Sequence, residues 1–141
     1  MYRNILFTVD LGEESSWQKA LPVAIEHARA FGSRLHVMTV VPGFGMSMVG
    51  QFFPKGYEKK MRERARAELH DFVKEHVPEG IPVQHIVGEG TVYSTIIETA
   101  RKIGADLIVM QAHRPELGDY LLGPNAARVV RHADCSVLVV R

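Results

Sequence analysis

The sequence predicts a doubly wound α/β domain, an open parallel sheet of five strands with four helices on its two faces. Five short runs of strand-forming apolar residues alternate with four segments whose apolar residues recur at three- and four-residue steps. The strand runs barely alternate between apolar and polar, as strands covered on both faces do. At 141 residues the chain has the size of one compact domain, and we read 1–141 as a single unit.

The first run, Ile5 to Val9, is stopped by Asp10-Leu11-Gly12, the pattern of a buried strand entering a turn. Ser15 and Ser16 are candidate helix caps, and Trp17, Ala20, Leu21, Ala24, Ala28 and Phe31 then recur at helical spacing up to a stop at Gly32. Pro22 removes a backbone donor inside that helix, which predicts a local kink or a late start. Leu35 to Val41 is the second strand. Between Pro42 and Pro54 the chain has three Gly, two Met, three Phe and no charge, too apolar for an ordinary solvated loop. From Tyr57 to His76 a stripe of Met61, Ala65, Leu69 and Phe72 predicts a helix, with Glu58/Arg62 and Arg64/Glu68 spaced to meet on its wet face. The basic run 59–66 is read as that solvated face.

Pro82 to Val87 is a third strand, polar through Gln84 and His85 as an edge strand should be. Gly88 and Gly90 turn the chain into a helix carrying Val92, Ile96, Ala100 and Ile103. Leu107 to Met110 is the fourth strand, Gly123 to Ala133 the fourth helix and Val137 to Val140 the fifth strand. The resulting β-α-β-α-β-α-β-α-β order dictates parallel strands joined by crossover helices.

Composition excludes several functions. Seventeen basic against sixteen acidic residues leave a formal charge of +1, so no global field draws the chain to nucleic acid or an anionic membrane. No apolar run approaches the roughly 20 residues of a membrane-spanning helix, and Asp10 arrives too early for a secretory leader, so we expect a soluble cytoplasmic protein. Cys135 is the single cysteine, which rules out an internal disulfide and a cysteine-built zinc cage. The histidines at 27, 36, 70, 76, 85, 113 and 132 lack the helical pairing of a zincin, so no metal site is expected. Gly118 to Asn125 has the glycine spacing of a phosphate-cradling P-loop but carries Pro124-Asn125 where Lys-Ser/Thr must stand. Gly88-Glu89-Gly90 lacks the third glycine of a dinucleotide fingerprint, and no Gly-x-Ser-x-Gly elbow occurs.

In an open α/β sheet the ligand sits beyond the carboxyl ends of the strands where the winding direction reverses. For five strands in a flavodoxin-like order that point lies beside the first strand. It brings together Asp10, the turn after Val40, the segment from Gln111 and the start of the fourth helix. The connection from Gln111 to Leu122 is well above the usual βα length, and such excess is more often functional than idle.

The stretches Ile5 to Asp10, Leu35 to Pro42, Gly104 to Met110 and above all the tail Leu121 to Arg141 resemble the universal stress protein family. The likeness covers nearly the whole chain. It implies a flavodoxin-like sheet of order 3-2-1-4-5, a homodimer and, as in many members, ATP binding. ATP-binding members carry a loop of the form Gly, two residues, Gly, nine residues, Gly-Ser/Thr. Here Gln111 stands at the first glycine, the second is replaced or deleted around His113-Arg114, and Pro124 replaces the Ser/Thr. The Ala112-His-Arg-Pro115 loop with Gly123 and Asn125 resembles a short branch of the family.

The resemblance therefore implies ATP or ADP, with or without Mg2+, held by Thr8, Val9, Asp10, Val40, Gln111, His113, Arg114, Gly123, Asn125 and Ala126. Asp10 is either an acceptor for ribose hydroxyls or the adenine amine, or a turn-stabilising carboxylate. Val40 either offers backbone groups to adenine or only fills the sheet. Gly123 followed by Pro124 reads as a helix N-cap and first helical position, leaving the Asn125 and Ala126 amides to face an anion. Arg114 is a phosphate clamp or the partner of Glu116 or Asp119. Pro124 removes a donor, so affinity is expected to fall below that of relatives unless Arg114 or His113 compensates.

An apolar fifth strand at the sheet edge invites association, and dimerisation through Val137 and Val139 resolves it, as the resemblance also implies. No general base with an orienting partner is visible, so we expect no enzyme; slow ATP hydrolysis ranks last. The alternative is a member that has lost nucleotide and acts through an unknown protein partner, docking by the 43–54 segment with Phe52 and Phe53. Cys135 near His132 is read as a packing cysteine.

Overall fold

Strand β1 (Asn4–Thr8) occupies the centre of the sheet in the computed structural model, which describes residues 1–41, 43, 56–112 and 123–141. Its Ile5, Leu6 and Phe7 are wholly buried because both faces of the strand are covered. On one side lie β2 (Arg34–Val41) and β3 (Val83–Glu89), on the other β4 (Leu107–Gln111) and β5 (Ser136–Val140). Every neighbouring pair is parallel, in the order β3-β2-β1-β4-β5. Ile5 is in register with Leu35 on one flank and Leu107 on the other.

Strand alternation divides the core into two layers. Ile5, Phe7, Leu35, Val37, Leu107 and Val109 face helices α1 (Ala20–Phe31) and α2 (Tyr57–His76), which bury Leu21, Ala24, Leu69 and Phe72 against them. Leu6, Met38, Ile108 and Met110 face α3 (Val92–Ile103) and α4 (Pro124–His132), which contribute Ile96, Ala100, Ala126 and Val129. At roughly 1.5–3 kcal/mol for each fully buried large apolar side chain, both layers are needed to offset chain entropy.

The expected late start of α1 is what forms. A single 3-10 turn covers Glu14–Ser16 and the helix begins at Ala20, so Pro22 falls in the first turn, where a backbone N–H would have had no helical acceptor. Gly32 ends the helix at φ 63°, a left-handed conformation that glycine adopts without a Cβ clash.

Strand β3 runs two residues beyond the expected Val87 and takes in Gly88, which pairs with Val40. Gly88 is a packing residue rather than a turn. A Cβ there would lie 2.5 Å from Met38 Cε and 2.6 Å from Thr95 Cγ2, so glycine is what lets α3 sit down on the sheet. The polarity of β3 also serves the interior. Buried His36 is bracketed by the carboxamides of Gln84, 2.6 Å from Nδ1, and Asn4, 3.0 Å from Nε2. Desolvation is the main influence on the ring and lowers its pKa, with the hydrogen bond to Gln84 Oε1 opposing and the Arg34 charge assisting. Both partners are carboxamide oxygens, and a neutral ring has one N–H to give them.

Candidate functional site

The chain winds from β1 to β2 and β3 on one side, then crosses from β3 to β4 and β5 on the other side of β1, so the winding direction reverses beside β1 and the strand ends part there. A cavity of about 260 Å³ fills the gap. Its floor is apolar: Met38 and Val40 from β2, Met110 from β4, and Val92 and Ile96 one turn apart on α3. The close seating of α3 over Gly88 is what brings Val92 and Ile96 to this floor. Thr8, Val9, Asp10 and Ser16 form one wall, and Gln111 with Gly123 to Ala126 forms the other.

Among the residues singled out from sequence, Thr8, Val9, Asp10, Val40, Gln111, Gly123, Asn125 and Ala126 all line this cavity. His113 and Arg114 lie outside the described residues, as do Phe52, Phe53 and most of the 43–54 segment. Sequence reading missed Ser16, Met38, Val92, Ile96, Met110 and Pro124 as lining residues. The i, i+4 pair Val92/Ile96 and the strand-end methionines are core-like in any sequence pattern, and only the topology turns them toward a ligand space.

Asp10 is held by its own loop. Its N–H donates to Ser16 Oγ at 3.1 Å, and Oδ1 accepts the Gly12 N–H at 3.1 Å. The Ser16 hydroxyl faces the Glu13 carbonyl at 2.6 Å and the Asp10 carbonyl at 2.9 Å. Ser16 thus caps the turn that presents Asp10, in place of capping a helix. The Asp10 carboxylate is exposed at the cavity wall and carries a turn bond on one oxygen, as the turn-stabilising reading has it. Val9 spends its N–H on the Met38 carbonyl at 2.9 Å.

On the opposite wall Gly123 takes φ 85°, ψ 157°, a backbone state L side chains rarely enter, and Pro124 follows as the first helical residue. The first helical bond runs from Ala127 N–H to Gly123 O at 3.1 Å, and the N-cap residue, a glycine, has no side chain to cap the end. The Asn125 and Ala126 amides therefore have no intrahelical acceptor and stand at the positive end of the helix. Among the described lining residues Asp10 is the one ionisable side chain.

Gln111, at the end of β4, is turned to the start of α1. Its Oε1 accepts the N–H groups of Lys19 at 2.8 Å and Ala20 at 2.9 Å, and its Nε2 donates to the Ser15 carbonyl. Cys135 is remote from all of this, at the amino end of β5, where burial pushes its thiol pKa up and keeps it unreactive.

The family model described as the universal stress protein family matches residues 1–141. The chain belongs to that family. It is 31% identical over 143 residues to universal stress protein G of Escherichia coli O157:H7, with 100% of both chains covered. To universal stress protein MJ0577 of Methanocaldococcus jannaschii it is 26% identical over 161 residues, covering all of this chain and 96% of that one. The solved structure of MJ0577 superposes with a TM-score of 0.73 over 99% of this universal stress protein and 96% of its own chain. A universal stress protein solved in complex with cAMP is 23% identical and shares the fold at a TM-score of 0.64, over 99% and 97% of the two chains.

Proposed function

We propose that this universal stress protein binds an adenine nucleotide, ATP or ADP with or without Mg2+, in the cavity beside β1 and acts as a regulatory binding protein. The observation that carries this reading is the pairing, in one cavity, of an apolar floor with a helix N-terminus that has no capping side chain among the described residues. A planar base is taken up by Met38, Val40, Val92, Ile96 and Met110, whose methionines adapt to its shape. Asp10 accepts from ribose hydroxyls or the exocyclic amine, and the Asn125 and Ala126 amides receive phosphate oxygens. The cAMP-bound relative supports the ligand class.

Binding without turnover fits the chemistry of the described walls, where Asp10 has no second ionisable group beside it to share acid and base roles. Association as a homodimer through β5 is the companion proposal. That strand is a sheet edge, its Val137 to Val140 side chains are only partly covered, and pairing would satisfy its outer backbone groups. No helix among the described residues is long and apolar enough to cross a membrane, and with a free cysteine a cytoplasmic location is the natural one.

Isothermal titration with ATP, ADP and AMP tests the ligand reading. Saturable heat, with affinity weakened but still measurable in Asp10→Ala, is expected; absence of heat at millimolar nucleotide overturns it.

A further inference from the structure

We propose that Gln111 is a positioning residue of the site: its carboxamide fastens the segment before α1 to the end of β4 and so fixes Asp10 at the cavity wall. Helix α1 supplies no side-chain cap of its own, and its N-cap residue Lys19 has helical rather than extended dihedrals, φ −93° and ψ −38°. The cap comes instead from across the sheet. One oxygen of Gln111 takes two adjacent N–H groups, and its nitrogen takes the carbonyl of Ser15 just upstream. Only a carboxamide satisfies both demands: a carboxylate cannot donate to Ser15, and an apolar side chain can do neither.

The next residue carries the restraint onward. Ser16, bonded to the peptide at Ser15, receives the Asp10 N–H and bonds back to the Glu13 and Asp10 carbonyls. Gln111 is thus joined to Asp10 through two short steps of hydrogen bonds and one peptide unit. With both ends of its carboxamide engaged by backbone, Gln111 lines the wall but acts on a ligand chiefly through Asp10. The ligand half of this proposal rests on the nucleotide reading above, whereas the restraint on Asp10 stands on the hydrogen bonds alone.

A double-mutant cycle read by ADP titration tests the ligand half. Gln111→Ala should weaken ADP at least fivefold when Asp10 is present and less than twofold in the Asp10→Ala background. Equal losses in both backgrounds, or none in either, overturn the proposal. Amide hydrogen exchange of the free protein tests the restraint itself. Gln111→Ala should speed exchange at Lys19 and Ala20 and also at Asp10 and Gly12, while the amides of β1 and β2 keep their protection and so report an intact fold. Faster exchange confined to Lys19 and Ala20 overturns it, because Gln111 would then only cap a helix. Gln111→Glu retains the acceptor and should restore protection at Lys19 and Ala20; failure to do so overturns the assigned bonds. Should the native protein take up no ADP, the nucleotide reading falls and the exchange data decide the positioning role.

Discussion

Replacing Pro124 by serine should make this protein a tighter nucleotide binder and a less stable one. Position 124 is the first residue of α4, directly between Gly123 and the Asn125 and Ala126 amides at the cavity wall. Proline has no N–H to give, so the helix end presents one donor fewer than the Gly-Ser/Thr turn of ATP-binding relatives. A hydrogen bond to a charged phosphate oxygen contributes about 1.5–3 kcal/mol. At about 1.4 kcal/mol per decade, one restored amide donor should tighten ADP roughly 10- to 100-fold. The opposite change in stability comes from the unfolded chain, which regains freedom worth about 0.4–1 kcal/mol when proline is removed, or roughly 2–4 °C in Tm. Pro124→Ala restores the N–H without the hydroxyl, so its titration beside that of Pro124→Ser separates the two donors. If both variants bind ADP no tighter than the native protein while melting lower, the phosphate does not lie at α4 and the placement of the ligand is wrong.

Gly88→Ala should destabilise the fold by roughly 1–3 kcal/mol, because its Cβ drives Met38 and Thr95 apart within a packed layer, and calorimetry should register a Tm drop of several degrees. An unchanged Tm would show that α3 is not held close by this contact. His36 should make stability fall in mild acid. Its folded pKa lies below the ordinary value of 6.5, so the unfolded chain binds more protons. Stability is full above about pH 6.5 and is lost as pH falls from there toward the lowered folded pKa. His36→Gln should flatten that slope in Tm-versus-pH measurements, leaving the contribution of His85, whose pKa is lowered by burial and by its neighbour His70. Val139→Lys places a charge on the outer strand and should convert dimer to monomer in sedimentation velocity; a native protein that is already monomeric removes the edge-pairing proposal.

The five parallel strands were legible because each is a short run of Ile, Leu, Val and Phe set between helical periods, whereas their order came from the family resemblance. The wall residues Asp10, Gly123 and Asn125 were legible because they follow strand ends or open a helix, which topology alone sends to one rim. Gln111 shows the limit. Its partners stand 91, 92 and 96 positions away, and nothing in the local pattern says whether a strand-end glutamine faces a ligand or a distant helix. Gly88 misled in the other direction, since a glycine next to Glu89-Gly90 reads as a turn until the approach of Thr95 is known. In β3, Gln84 was attributed to edge exposure, whereas much of its worth lies in the bond to His36 on the neighbouring strand.

Met38, Ile96 and Met110 belong both to the second core layer and to the floor of the cavity. At these three positions any exchange that reshapes the floor is also a change to the interior that keeps the sheet covered. Selection for a different ligand is filtered first by folding, which favours small adjustments at the rim over replacement of the floor. A ligand that fills the space would complete the packing of these same side chains, so its occupancy would stabilise the folded chain and lengthen its lifetime.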